Sequence, residues 1–478
     1  MNKLKITGKE LRQLGYPEGP VISIAMKLAQ KHYKYTSKET VFDLLKAVLQ
    51  APADFVSDAA LGPVARQLVP PPPKEDEGMA VSLNQSGIAF NIFGREHIEE
   101  SALAQMYTAA KLPVAVAGAL MPDAHQGYGL PIGGVLATRN AIIPYGVGVD
   151  IGCRMCLSIF DTNPKELDDR THYFVREINE ATLFGSGAQF KQAANHAVMD
   201  HEAFRLLPVL KGLHGRAWKQ LGSSGSGNHF VEFGIVTISE ADAVLGVPAG
   251  AYLGLLSHSG SRALGAAIAN HYTKIAISKR RLSQDARNLA WLDLNEAEGR
   301  EYWIAMNLAG DYAAACHHII HAKIAKQLGC KPIRMVENHH NFAWKEVWNG
   351  EEVIVHRKGA TPAGENVLGI IPGSMTAAGF IVKGKGETAA VNSASHGAGR
   401  KMSRSKALQS ITASDLKKEL SKKGVTLISA GLDEAPFAYK DIEVVMKGQQ
   451  ALVDVVGTFT PKIVKMAGDT IKKWQVKE

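Results

Sequence analysis

Residues 392–406 read NSASHGAGRKMSRSK, and their types and spacing suit phosphate chemistry. His396 sits in a glycine-flanked turn and is followed by Arg400, Ser403 and Arg404. Gly397 and Gly399 let the backbone approach an anion closely and offer N–H groups to its oxygens. The two arginines add fork-shaped donors that match phosphate. A neutral imidazole at the centre of such a nest is a capable nucleophile, so His396 is a candidate for covalent phosphoryl or nucleotidyl transfer. The same stretch also reads as a helix N-cap beside a surface loop. The segment alone leaves both readings standing.

Other chemically capable side chains fall in Gly- and Ser-rich turns along the chain. MPDAHQGYG supplies Asp123 and His125; GVGVDIGCRMC supplies Asp150, Cys153 and Cys156. SGSGNHFVE adds Asn228, His229 and Glu232, and LLSHSGSR adds His258 and Arg262. VENHHNFAWKE adds Glu337, His339, His340 and Asn341. A single histidine in such a place is ordinarily a satisfied polar residue. Many acid, thiol and imidazole groups at strand ends would each cost desolvation without return unless they share a task. Asp150 and Cys153 form the sharpest pair, because D-x-x-C spacing puts a carboxylate and a thiolate on one side of a turn, and a thiolate can bridge two metals. With three histidines from separate loops the donor set is mixed N, O and S. That suits Mn²⁺, Zn²⁺, Co²⁺ or Fe²⁺ better than Mg²⁺ or Ca²⁺. CRMC read as a redox pair lacks a thioredoxin-like βαβ context. A structural zinc site does not fit donors scattered from Asp150 to His340.

The elements that must position these groups follow from pattern and composition. At 478 residues, 46% apolar and 21% charged, the chain has ordinary globular composition and room for two or three domains. Fifty-four Lys plus Arg against 46 acids gives +8, a mild lean towards a polyanionic partner such as nucleic acid. The start, MNKLKITGKELRQ, has no apolar signal region, and no apolar run reaches membrane-spanning length. The expectation is a cytoplasmic protein with no membrane partner. Four cysteines in so long a chain read as reduced thiols and not as a disulfide framework.

Residues 1–69 read as a helical extension. TGKELRQLGY carries Thr7 and Glu10 at capping-box spacing, and GPVISIAMKLAQKHY and KETVFDLLKAVLQ repeat apolar residues every three or four positions. KITGKELRQLGYPEGP also resembles the small helical RNA-binding segments at the tails of tRNA nucleotidyltransferases. Prolines 70–73 followed by KEDEG mark 70–80 as a linker. From 81 onward short β-rich runs, among them VLATRNAIIPYGVGVDIGCRMCLSIF, alternate with Gly-rich turns. The stretch DARNLAWLDLNEAEGREYWIAMNLAGDYAAACHHIIHAKIAKQL is the clearest helical region. The fold class expected is α+β: a single large catalytic domain over 81–478, of layered β-sheets with flanking helices, beside the small helical module.

The turns GVGVDIGCRM, GSGNHFVE, SHSGSR, HHN, HRKGATP, PGSM, SHGAGRKMSRSKA and EAPFAYKD, in this order and spacing, resemble the RtcB family of RNA ligases over residues 86–468. The resemblance implies a GTP- and Mn²⁺-dependent enzyme. It would join RNA ends carrying a 2′,3′-cyclic phosphate or 3′-phosphate to 5′-hydroxyl ends, in RNA repair or tRNA splicing. It implies that His396 accepts GMP, and that two manganese ions are held by Asp150, Cys153, His229, His258 and His340. His340 is chosen over His339 because Asn341 follows it. Asn228, Glu232, Asn341, Ser374, Gly397, Ala398, Gly399, Arg400 and Tyr439 are then placed around the guanylate, with Glu232 facing the N1–H and N2–H edge of guanine. Arg262 is the candidate for an RNA phosphate, and an archease-like activator is an implied partner.

Three departures point to a divergent bacterial paralogue. The family's G-S-M-G-T-A-S-Y run reads GSMTAAGF, with Gly379 in place of the second serine. The V-K-G tail reads KIVKMAG, with Ala467 at the lysine position unless Lys465 substitutes, and Ser395 stands where cysteine is common. These leave the choice of nucleotide open. The alternatives are a metal-dependent RNA-end phosphoesterase or cyclic phosphodiesterase without ligation, and a non-catalytic RNA-end-binding protein.

Overall fold

Thr7 closes a capping box with Glu10: its amide donates to the Glu10 carboxylate at 2.9 Å and its hydroxyl accepts the Glu10 N–H at 3.4 Å. This opens the helix Gly8–Gln13, and the Ser37 hydroxyl caps Lys38–Gln50 by accepting the Thr40 N–H. The i, i+4 apolar positions of Pro20–His32 and Lys38–Gln50 bury Val21, Ala25 and Ala29 against Val41, Leu45 and Val48. Gly62–Leu68 completes this core with Val64 and Ala65. The computed structural model describes residues 4, 6–69 and 78–468; the proline run with its charged neighbours to 77, and the tail beyond 468, lie outside the described residues. The chain divides into two compact units, Met1–Glu77 and Gly78–Glu478.

The second unit is built on two sheets. The larger has eight strands. Its path runs Arg334–His339, Arg154–Phe160, Gly250–Ser259, Phe230–Ile238, Val453–Met466, Gly379–Gly384, Leu368–Ile371, and Thr426–Ser429 pairs in parallel beside Val453–Met466. The smaller has five: Asn341–Trp348, Glu351–Lys358, Leu130–Thr138, Ala115–Tyr128 and Asn91–Ile92. At one crossing the chain leaves the first sheet at His339 and enters the second at Asn341, so His340 is the single residue between those two strands.

In the larger sheet Arg154–Phe160 and most of Gly250–Ser259 are buried on both faces, so their apolar residues do not alternate with exposed ones. Met155, Leu157, Ile159 and Leu256 pack with Val236 and Phe459 on one face. Phe160, Leu253 and Leu255 pack on the other against Ile320 and Ile324 of the 32-residue helix Ala297–Leu328. That helix starts later than its composition suggests. Leu292–Asp293 pairs with Ala141–Ile142, and the Asp293 carboxylate accepts the Asn295 N–H and the Asn140 amide, both at 2.8 Å. The run 135–160, read as β throughout, is also interrupted. Pro144 starts the short helix Pro144–Val147, and a loop carrying Asp150 and Cys153 follows before Arg154. Gly152 in that loop has φ +68°, and a Cβ there would lie 2.8 Å from Gly310 Cα of the long helix. Among the described residues no helix is long and apolar enough to cross a membrane.

Candidate metal centre and nucleotide cleft

The second unit holds a cleft of about 860 Å³, walled by Asp150, Cys153, Asn228, Glu232, His258, His340, Asn341, Ser374, His396, Gly397–Arg400 and Tyr439, with further residues of the same turns. Volumes of this order take small ligands. The cleft lies at one end of the larger sheet. Phe230 is paired with His258, and Met155 with His258 from the other side, so the loops before residues 154 and 230 and the strand end at 259 meet at one point.

The donors there are packed against one another. Cys153 Sγ is 3.2 Å from His258 Nε2 and 3.4 Å from His229 Nε2. His229 Nε2 is 2.9 Å from Asp150 Oδ2, and His258 Nε2 is 3.2 Å from His340 Nε2. His258 Nδ1 donates to the Asn228 carbonyl at 3.0 Å. That leaves Nε2 with a lone pair, aimed at the thiol and at the neighbouring ring. His229, His258, His340 and Cys153 are buried, and Nδ1 of both His229 and His340 has no hydrogen-bond partner among the described residues. Burial pushes the His258 ring down to about 3 and His340 well below the ordinary imidazole range. Burial, with Asp150 alongside, drives the Cys153 thiol up. A buried thiol and three imidazoles crowded around a carboxylate are a costly arrangement without a cation and a good one with it. The residues therefore fit a borderline divalent metal, with Cys153 deprotonated on binding. Asp150 Oδ1 accepts the Ser261 N–H at 3.1 Å, and Asn341 bridges the loops by accepting the Gly359 N–H at 2.8 Å. Of the adjacent pair, His340 enters this cluster while His339 packs on Phe342 and Trp344.

His396 stands beside the cluster, its ring centroid 5.0 Å from that of His340. Asp123 is fully buried and places Oδ2 2.6 Å from His396 Nδ1, while the same oxygen accepts the His396 backbone N–H at 3.2 Å. Burial would raise this carboxyl, but His396 and Lys440 hold it below the usual range. A carboxylate in this position favours the Nδ1–H tautomer, in which Nε2 carries the lone pair. Lys440 secures the Asp123 segment by donating to the carbonyls of Pro122 and Ala124 at 3.2 and 2.7 Å. The nest is tight: Gly399 has φ +70°, and a Cβ on it would lie 2.1 Å from the Asp123 carbonyl oxygen. Asp123, named from sequence as one chemically capable acid among several, holds the His396 ring and backbone in place.

Glu434, in the EAPFAYKD turn, is a group that sequence reasoning passed over. It is buried and gathers Arg400, Arg404 and the Tyr439 hydroxyl on its two oxygens. Arg400 also donates to the Asp433 carbonyl at 2.8 Å and lies over the Tyr439 ring. Glu232 points into the same cleft from mid-strand, where burial holds its carboxyl well above the ordinary range. Lys358, in HRKGATP, is another such group. It is buried in the cleft wall and donates to the carbonyls of Tyr128 and Tyr145 at 2.6 and 3.0 Å. Arg262 is buried at the first position of the helix Arg262–Lys279, with two guanidinium nitrogens already bonded to Ser223 and the Gly185 carbonyl; it is not among the residues walling the cleft. On Val453–Met466, Val464 and Met466 face the cleft while Lys465 reaches the Phe184 ring on the opposite side. Cys156 likewise turns away from Cys153 and forms no disulfide.

The family model described as tRNA-splicing ligase RtcB matches residues 105–207 and 207–467. It takes in the Cys/His/Asp cluster, Asp123 and His396, and begins after the N-terminal helical unit. The chain is 32% identical to RNA-splicing ligase RtcB of Escherichia coli (strain K12) over 393 residues, 76% of this chain and 93% of that protein. It is 31% identical to tRNA-splicing ligase RtcB of Methanococcus maripaludis over 421 residues, 73% and 87% of the two chains. It is 30% identical to RNA-splicing ligase RtcB homolog 1 of Entamoeba histolytica over 421 residues, 73% and 80%.

Proposed function

The chain belongs to the RtcB family and is an RNA ligase, and we propose that it joins 3′-phosphate or 2′,3′-cyclic-phosphate RNA ends to 5′-hydroxyl ends through a His396–GMP intermediate. The observation that carries this reading is the buried Asp123–His396 pair, 2.6 Å long, set against a Cys/His/Asp cluster. Asp150, Cys153, His229, His258 and His340 would hold two Mn²⁺ ions, which when bound supply Lewis-acid stabilisation of charge on phosphate oxygens.

The protein's own part begins with Asp123, which keeps the proton on His396 Nδ1. His396 Nε2 attacks the α-phosphorus of GTP; an N–P bond forms and the bond to pyrophosphate breaks. An oxygen of the RNA 3′-phosphate then attacks the same phosphorus. The N–P bond breaks, neutral imidazole returns, and the RNA carries a 3′-diphosphate-linked guanosine. The 5′-hydroxyl of the second RNA attacks the 3′-phosphorus, its proton passing to solvent and GMP leaving. A cyclic phosphate is first opened by water. Glu232 would accept from the guanine edge, and Arg400 and Tyr439 would line the nucleotide, held in place by Glu434.

The test is incubation with labelled GTP and Mn²⁺. Acid-labile label on wild type, its absence in His396→Ala, and joined product from a cleaved stem-loop support ligation. A well-folded, metal-loaded wild type that takes no label from any nucleotide rules it out. Gly379, Ala467 and the turned-away Lys465 favour a second reading, a phosphoesterase that trims RNA ends without nucleotide. Phosphate release from cyclic-phosphate RNA without GTP, and with no joined product, would select it.

A further inference from the structure

Behind the cleft, between the larger sheet and the helix Ala297–Leu328, lies a second cluster that ligation chemistry does not use. His317 and His321 are one helical turn apart and share a face of the helix. Cys156 comes from the strand opposite, and one donor atom from each of the three lies within 4.8 Å of the other two. All three are buried, with exposures of 0%, 0% and 2% for Cys156, His317 and His321. His317 Nδ1 and His321 Nε2 converge on one point, the Ser257 hydroxyl oxygen, at 2.6 and 2.7 Å. The far nitrogen of each ring is anchored by an oxygen: His317 Nε2 on the Ser259 carbonyl at 3.1 Å, and His321 Nδ1 on the Ser158 hydroxyl at 2.8 Å. Anchoring one ring nitrogen while the other faces a shared centre is how proteins prepare histidines to ligate a metal.

We propose that Cys156, His317 and His321, with the Ser257 hydroxyl as a fourth donor, form a second transition-metal site, distinct from the cleft, that takes a zinc-class ion. One thiolate, two imidazoles and no carboxylate select Zn²⁺ or Co²⁺ over Mn²⁺. Binding takes the Cys156 thiol to a thiolate and releases its proton. Ser257 and His258 are consecutive on one strand and face opposite sides of the sheet. An ion here ties the strands Arg154–Phe160 and Gly250–Ser259 to the long helix and braces the floor of the cleft from the rear.

The experiment uses the full chain carrying Cys153→Ser and His258→Ala, which disables the cleft donors. After chelation and titration with Co²⁺, the expected result is a near-ultraviolet thiolate-to-cobalt absorption and tetrahedral visible bands, saturating at about one ion per chain. Adding Cys156→Ala, or His321→Gln in case the alanine variant misfolds, abolishes both signals with circular dichroism unchanged. In the otherwise wild-type chain, Cys156→Ala lowers bound zinc by about one ion per chain and leaves manganese uptake intact. A folded cleft-disabled protein without the thiolate signature, or a signature that survives both Cys156→Ala and His321→Gln, overturns the proposal. The group would then be only a neutral hydrogen-bond chain from Ser158 to Ser259.

Discussion

Asp123 Oδ2 and His396 Nδ1 lie 2.6 Å apart although 273 residues separate them in sequence, and the same oxygen also takes the His396 backbone N–H. One buried carboxylate therefore favours the Nδ1–H tautomer and fixes the position of the His396 ring. Asp123→Asn keeps the shape but offers an amide that no longer demands a proton on Nδ1. Covalent guanylylation in single turnover is expected to fall by about 10²–10⁴-fold while the fold, read by circular dichroism, is retained. An unchanged labelling rate would remove Asp123 from this role.

His340 and His339 are neighbours with different duties. His340→Ala is expected to lower manganese stoichiometry and abolish activity. His339→Ala should leave metal content intact and cost about 1–3 kcal/mol of stability by emptying the space beside Phe342 and Trp344. Metal analysis with urea unfolding of both variants separates the two outcomes.

Gly399 has no room for a methyl group and sits at positive φ. Gly399→Ala must push the nest away from the Asp123 carbonyl or strain the backbone. A loss of about 2 kcal/mol or more is expected in denaturant unfolding, together with weaker nucleotide labelling.

Glu232 is a buried acid whose carboxyl is held high by desolvation. Guanine binding would favour its ionised form, so a proton leaves on binding and GTP affinity rises with pH until the free carboxyl is already ionised. Glu232→Gln replaces one acceptor with a donor facing guanine N–H groups and is expected to cut labelling efficiency with GTP by about 10–100-fold. Lys465→Ala, whose side chain lies on the other face of its strand, should leave nucleotide preference unchanged in the same assay.

Burial lowers the Lys358 ammonium from 10.5 to about 7. Its folded value lies below its unfolded one, so the unfolded chain binds more protons between these values and stability rises with pH across that window. Lys358→Met removes the titration. Its unfolding free energy minus that of wild type should shrink from pH 7 towards pH 10, by no more than about 4–5 kcal/mol on the pKa difference. A gap that is flat across this range would mean that Lys358 is solvated in the folded protein.

Local signals carried far in the sequence, and long-range pairing set the limit. The Thr7–Glu10 cap, the helical repeats before residue 69 and the donor-bearing turns are readable because each is decided within a few residues. Which donors meet is decided by strand register. Asp123 reads as a candidate ligand without a known partner until the sheets bring it beside His396. Glu434 reads as a charged turn residue until Arg400, Arg404 and Tyr439 close on it. The side on which Lys465 emerges depends on the phase of Val453–Met466, and the late start of the long helix depends on Leu292–Asp293 pairing with Ala141–Ile142. No local propensity encodes either fact.

The single-residue joint at His340 leaves the polypeptide no slack between two sheets. Because strand side chains alternate with a period of two, adding or deleting one residue here would invert the inside and outside of whichever strand absorbed the change. Sequence length at this point is therefore as tightly constrained as residue identity. A one-residue insertion after His339 should be worse tolerated than most point substitutions in the surrounding strands.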